Sequence, residues 1–256
     1  MKLKAVIATC ILGAAATGAH AFNLLDKGDI SVVDCRSHDD AQEAKDRALA
    51  ETTFALMQKH DMDALDARMP DLKAALGRAP DVAPAPEKCG KTIVIHSDDM
   101  SDTLFLSTLV VKGKPFEGYQ VVQKPALPYS SLGFIVGWID YEHQDYNDAI
   151  TAYRKGLRNN PDDASLVSEL TNTLATTGQS EEALHIVDEF LASHGMLDDH
   201  DHALMLRRRG YALVELGRLD EGEAAYTESQ KYEPDSTVAK SELEYIHSQK
   251  AKTSAQ

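Results

Sequence analysis

A mainly α fold, a solenoid of helical hairpins preceded by a small mixed α/β unit, is what this chain of 256 residues predicts. Three observations carry it. Small residues and aromatics recur at a fixed spacing after Leu132. Short β-branched runs, Ile30–Val33, Thr92–Ile95 and Tyr119–Val122, are confined to the first half and read as strands. Between and beyond them, apolar residues fall at helical spacing.

The recurring stretch runs from Leu132 to about Ser248, and such a period points to stacked supersecondary units. Gly137, Ala149, Tyr153, Gly156 and Pro161 mark a first copy, and Ala149 returns as Ala183, 34 residues on. A third copy carries Gly210, Gly217, Gly222, Tyr226 and Pro234. The step from Ala183 to Gly222 is 39, so five residues are inserted there. Within the first copy, Ala149, Tyr153, Gly156 and Leu157 form one apolar helical face. Gln144-Asp145, Thr177-Gly178-Gln179 and Leu216-Gly217-Arg218 mark the turns, with glycine where a helix C-terminus favours it. Ser180 with Glu181 and Glu182 reads as an N-cap.

These residues and their period resemble the tetratricopeptide repeat. The second copy departs from the pattern, with Thr171 in place of Gly137 and Gly210, and Gly195 in place of the closing proline. The resemblance implies three repeats plus a capping helix over residues 129–249, the cap being Val238–Gln249 with Val238, Leu243 and Ile246 on its apolar side. It also implies that the module binds a protein or peptide.

Met1 to Ala21 reads as a secretory signal peptide: basic Lys2 and Lys4, a short apolar core, and Ala19-His20-Ala21 for cleavage before Phe22. Cys10 lies in a faint lipoprotein-like context. Removal of the segment leaves 24 basic residues against 41 acidic, a net charge of −17. That balance argues against nucleic acid and anionic lipid as partners, since both reward positive charge. No later stretch is long and apolar enough for a bilayer, so a periplasmic or secreted protein without membrane insertion is expected. Export fits the even pair Cys35 and Cys89, which reads as a disulfide between strand ends, with two free thiols as the alternative.

Residues 22–128 form the expected N-terminal unit. Ser37-His38-Asp39-Asp40 has the form of a capping box, followed by Ala41, Ala44, Ala48, Thr52 and Ala55 at helical spacing, with Leu49 and Leu56 widening the face. Asp63 to Arg78 continues as helix with a break at Pro70, and residues 37–80 together are compatible with a degenerate fourth hairpin. Ala83-Pro84-Ala85-Pro86 is a stiff spacer. Ser101–Val111 suits a capped helix or a third strand, and residues 250–256 read as a disordered tail.

Three places bear on function. His194-Gly-Met-Leu-Asp198-Asp199-His200-Asp201-His202 is dense enough in imidazole and carboxylate for a divalent metal, although Asp199 or Asp201 also serves as an N-cap. His96-Ser97-Asp98-Asp99 follows a strand, where a hydrolytic or metal site could sit. The chain carries no zinc-protease, serine-hydrolase, phosphate-loop or dinucleotide motif, so no enzyme activity and no cofactor are expected. The third place is the face that the first helix of each hairpin presents in the family. It would comprise Phe134, Trp138 and Tyr141, then Ser168, Asn172 and Ala175, then Arg207, Tyr211 and Val214, followed by Tyr245. Phe134, Trp138, Tyr141, Asn172, Arg207 and Tyr211 are the candidate peptide groove; Trp138 and Tyr141 would equally suit packing against the preceding unit. Asn172 with Arg207 or Arg208 resembles part of the family's carboxylate clamp, without its full set.

Overall fold

Helical periodicity and short β-branched runs become, in the computed structural model, nine helices and four strands among the described residues, 32–81, 85–98, 118–194 and 197–254. The expected signal segment with Cys10, the Ser101–Val111 segment, and Asp99, Gly195 and Met196 lie outside them. None of the described helices is long and apolar enough to cross a membrane.

The strands make one sheet in the order β1 (Val33–Asp34), β2 (Glu87–Cys89), β3 (Thr92–His96), β4 (Gln120–Lys124). β1 runs parallel to β2, β2 antiparallel to β3, and β3 parallel to β4. Gly90, at φ +66°, turns β2 into β3, a conformation that costs glycine nothing. Ile93, Val94 and Ile95 are buried in β3. Cys35, just past β1, bonds Cys89 at the end of β2, with Cα atoms 4.7 Å apart. Closing a loop across a sequence separation of 54 is valued at about 4 kcal/mol by chain entropy alone. The sheet is tied to α1 (Asp40–Met57) by Lys124 on Asp40, 2.8 Å, and by Arg47 on the carbonyl of Ala126.

α1 and α2 (Met62–Gly77) form a hairpin, and three more follow: α3 (Tyr129–Glu142) with α4 (Tyr146–Asn159), α5 (Ala164–Thr176) with α6 (Ser180–Ser193), and α7 (Asp199–Glu215) with α8 (Leu219–Tyr232). α9 (Thr237–Ser254) closes the end. All four hairpins turn alike. The residue before the second helix's N-cap is left-handed: His60 at φ 52°, Gln144 at 64°, Gly178 at 81° and Gly217 at 73°. The cap N–H then reaches back five residues: Asp61 to Leu56, Asp145 to Asp140, Gln179 to Leu174 and Arg218 to Leu213, at 2.8–3.2 Å. In this register Thr53 stands where Gly137, Thr171 and Gly210 stand, and Leu65 where Ala149, Ala183 and Gly222 do.

The first hairpin is therefore built like the others. α2 packs on α3 as α4 packs on α5 and α6 on α7, and one core runs from Ala50, Met57, Leu65 and Leu72 into Leu132, Ile135 and Ile139. The strands sit beside this hairpin, so residues 22–128 contain a sheet plus one unit of the stack.

Glycine sets the spacing within hairpins. A Cβ on Gly133 would stand 2.5 Å from Gly156 Cα, and one on Gly137 would stand 2.4 Å from the ring of Tyr153. Of the five inserted residues, four lengthen α7, about one turn, which keeps its face in phase; the fifth is in the loop before it.

Several expectations need correction. Ala41, Ala44, Ala48, Thr52 and Ala55 are exposed, and α1 instead buries Asp46, Ala50, Thr53 and Met57. Methyl groups offer little area, and the larger Met57, Leu49 and Phe54 decide which side turns inward. α2 runs unbroken through Pro70, which forfeits one hydrogen bond while Leu65 and Leu72 stay fully buried on either side. The caps are Asp39, which accepts from Gln42 N at 3.0 Å, Gln179, and Asp198, which accepts from Asp201 N at 2.8 Å. They are not Ser37, Ser180, Asp199 or Asp201. The last helix continues to Ser254, beyond the expected end at Gln249, and Lys250 within it pairs with Asp220 and Glu223 of α8.

Candidate functional site

The first helices of successive hairpins lie side by side, α3 against α5 and α5 against α7. Their shared face carries a chain of polar contacts. The Asn172 amide donates to the Tyr141 hydroxyl at 3.3 Å, and its oxygen accepts from Arg208 Nη1 at 3.0 Å. Arg208 Nε donates to Ser168 Oγ at 2.7 Å, and its other nitrogen stands 3.7 Å from Glu169. Thr176 and Tyr211 hydroxyls meet at 3.5 Å one turn further along. Tyr141 also meets Tyr146 edge-on, with centroids 5.4 Å apart.

Tyr141, Asn172, Arg208 and Tyr211 are half-buried: packed enough to be oriented, open enough to be reached. Burial pushes the Glu169 carboxyl up against the pull of Arg208, and burial likewise raises the Tyr211 phenol. Burial, and after it the nearby Glu215, raise Glu242 of α9, which sets a third carboxyl beside Glu169 and Glu215 near Tyr211.

The six groove candidates divide into three groups. Tyr141, Asn172 and Tyr211 share the face just described. Phe134 stacks on Phe54 of α1 at 6.0 Å, and Trp138 meets His60 edge-on at 5.5 Å, so both pack toward the first hairpin. Arg207 does not line the face: it is 7 % exposed and donates to Glu233 at 2.5 Å. Glu233 also accepts from His200 at 2.6 Å, and this bridge between the end of α8 and the start of α7 draws Arg207 away. Its neighbour Arg208, named in the sequence only as an alternative, takes the place. Ala175 and Val214 are buried, and Tyr245 is 45 % exposed.

The turn and its hydrogen bond, repeated four times, decide the architecture. The fold is a tetratricopeptide-type stack of helical hairpins. No protein-family model matches the chain, and no curated protein matches it in sequence. Among solved structures, the first such domain of human RPAP3 is similar at 20 % identity and a TM-score of 0.45, over 50 % of this chain and 98 % of that one. The corresponding domain of Sgt2 from Aspergillus fumigatus is similar at 19 % identity and 0.45, over 50 % and 83 %. MamA from Desulfovibrio magneticus RS-1 is similar at 20 % and 0.40, over 49 % and 70 %.

The stack gives the His194–His202 loop structural work. His194 is buried, stacked on Phe190 at 3.9 Å, and bonded to the Phe190 carbonyl and to Asp162. His200 turns to Glu233, and His202 stacks on Tyr232 at 4.2 Å. These imidazoles point at different partners, and among the described residues no ligand set forms there.

Proposed function

We propose that the chain is an exported adaptor that holds an extended protein segment across α3, α5 and α7. One observation carries this reading: the half-buried row Tyr141–Asn172–Arg208, continued by Tyr211, which spans three hairpins. A row of hydroxyl, amide and guanidinium groups can bond the backbone of a strand-like segment, while the two tyrosines supply rigid contact area. The carboxyls of Glu169, Glu215 and Glu242 beside the row favour a segment whose lysine or arginine would hold them ionised against burial, in keeping with the acidic charge of the whole chain. A scaffolding or assembly role in the cell envelope follows if residues 1–21 direct export.

Photo-crosslinking tests the reading. A benzophenone amino acid at Tyr141 or Tyr211, expressed with the native leader, should give a discrete protein adduct in envelope extract. The same group at Lys231, on the exposed side of α8, should not. Adducts absent at Tyr141 and Tyr211, or equal at all three positions, would remove the face as the binding site. Intact mass of the same exported material should show loss of residues 1–21.

A further inference from the structure

Where the β2–β3 hairpin meets the start of α1, three side chains converge. His38 lies just before α1, Glu87 opens β2 and His96 ends β3; one donor atom from each lies within 4.8 Å of the others. The two imidazole rings are 4.6 Å apart, tilted by 32°. Cys35 and Cys89 anchor the cluster, three residues before His38 and two after Glu87. Bonded to each other, their sulfurs are not thiolate donors.

Each of the three groups is held from behind. His38 Nδ1 lies 2.8 Å from Glu43 of α1, while Nε2 faces Glu87 Oε1 at 3.0 Å. The second oxygen of Glu87 accepts from the backbone N–H of Arg36 at 3.0 Å, in a side chain 3 % exposed. His96 Nδ1 lies 3.2 Å from the carbonyl of Pro125, which can only accept, so Nδ1 carries the proton and Nε2 the lone pair. That Nε2 is buried and has no hydrogen-bond partner among the described residues.

A buried imidazole lone pair with no donor is an unsatisfied group, and such groups in a folded protein call for a physical explanation. Metal-bound histidines turn their other nitrogen to a carboxylate or a backbone carbonyl, which fixes tautomer and ring direction. His38 has the carboxylate and His96 the carbonyl. Donors around a tetrahedral ion stand about 3.4 Å apart, given bonds of about 2.1 Å. The cluster needs only small shifts of side-chain angle to reach that spacing.

We propose that His38, Glu87 and His96 bind one divalent transition metal of the zinc class. Two imidazoles and one carboxylate suit zinc rather than calcium or magnesium, which take oxygen donors. His38 and His96 would bind through Nε2 and Glu87 through Oε1. The fourth position falls to water or to a donor from a bound molecule. This site is separate from the helical face and does not depend on the adaptor reading.

The experiment is a zinc chloride titration of the metal-stripped, disulfide-intact full chain, followed by calorimetry and repeated with cobalt(II) for its tetrahedral absorption. One equivalent should bind. His96→Ala should weaken binding at least tenfold, and Glu87→Gln likewise, whereas His200→Ala should leave it unchanged. His96 Nε2 makes no hydrogen bond among the described residues, so its loss spares the His38–Glu43–Glu87 contacts. Should His96→Ala unfold the sheet, modification of the wild-type chain by diethyl pyrocarbonate decides, since zinc should protect two histidines. Absence of binding, an unchanged affinity in His96→Ala, or no protection would each overturn the site.

Discussion

Gly137 and Tyr153 fill one volume between them, as do Gly210 and Tyr226, where an added Cβ would stand 2.7 Å from the ring. The second copy shifts both sides at once: Thr171 replaces the glycine, and Val187, four residues past Ala183, stands where the tyrosines do. The departure from the pattern is thus an exchange of volume across the hairpin. Gly137→Ala should cost about 2–3 kcal/mol by overpacking. Pairing it with Tyr153→Val should recover part of that loss, so a double-mutant cycle on thermal melts should give a favourable coupling of about 1 kcal/mol or more. Additive losses would mean that the two positions do not share the space. The same reasoning shows why Arg207 and Arg208 could not be separated in sequence. Adjacent helical residues point about 100° apart, and which of them joins Asn172 is decided by Glu233, 26 residues beyond Arg207, where no periodicity reaches.

The first hairpin shows what an element can hide. Its turn and backbone bonds match those of the other three, yet Leu65 occupies the small-residue position, and Pro80 follows α2 later than Pro161 follows α4. The helix pairs α3–α4 and α7–α8 are legible because glycine, alanine and tyrosine recur in phase; α1–α2 are not, because their turn is written in backbone geometry. Asp46 and Arg78 clasp the two helices by bonds of 2.9 and 2.5 Å. Burial opposes the Asp46 carboxylate, but Arg78 and Gln42 outweigh it and hold the group below its usual range. A carboxyl depressed on folding adds stability above its unfolded value of about 3.9 and loses it as pH falls through the folded value. Asp46→Asn should therefore cost about 2 kcal/mol at pH 7, and the gap from wild type should narrow in melts taken below about pH 4. A gap constant down to pH 3 would show that the charge plays no part. Trp138 of α3, half-buried against the same hairpin, should behave as a packing residue. Trp138→Ala should cost about 2–3 kcal/mol of stability, and emission of the wild-type ring should be blue of free indole. A mutant that melts like wild type would return Trp138 to the open groove.

Across the whole molecule, stability passes from hairpin to hairpin through nearest neighbours. At the far end α9 lays Ala239 and Ile246 over Val214 and Tyr226. Ending the chain before Thr237 should uncover those residues. Hydrogen exchange should then lose protection in α7 and α8 first and leave α1 and α2 unchanged; uniform loss would show one cooperative unit instead.

The opposite end carries the alanine and threonine stripe of α1, left facing solvent. A stack of like modules resembles a polymer with two live ends, each able to take up the next monomer. An end surfaced with methyl groups and flanked by Glu51 and Lys45 offers a second molecule too little area to hold it. With so little to bury there, adding a further hairpin at that end gains little, and the row of described hairpins keeps the length the sequence sets.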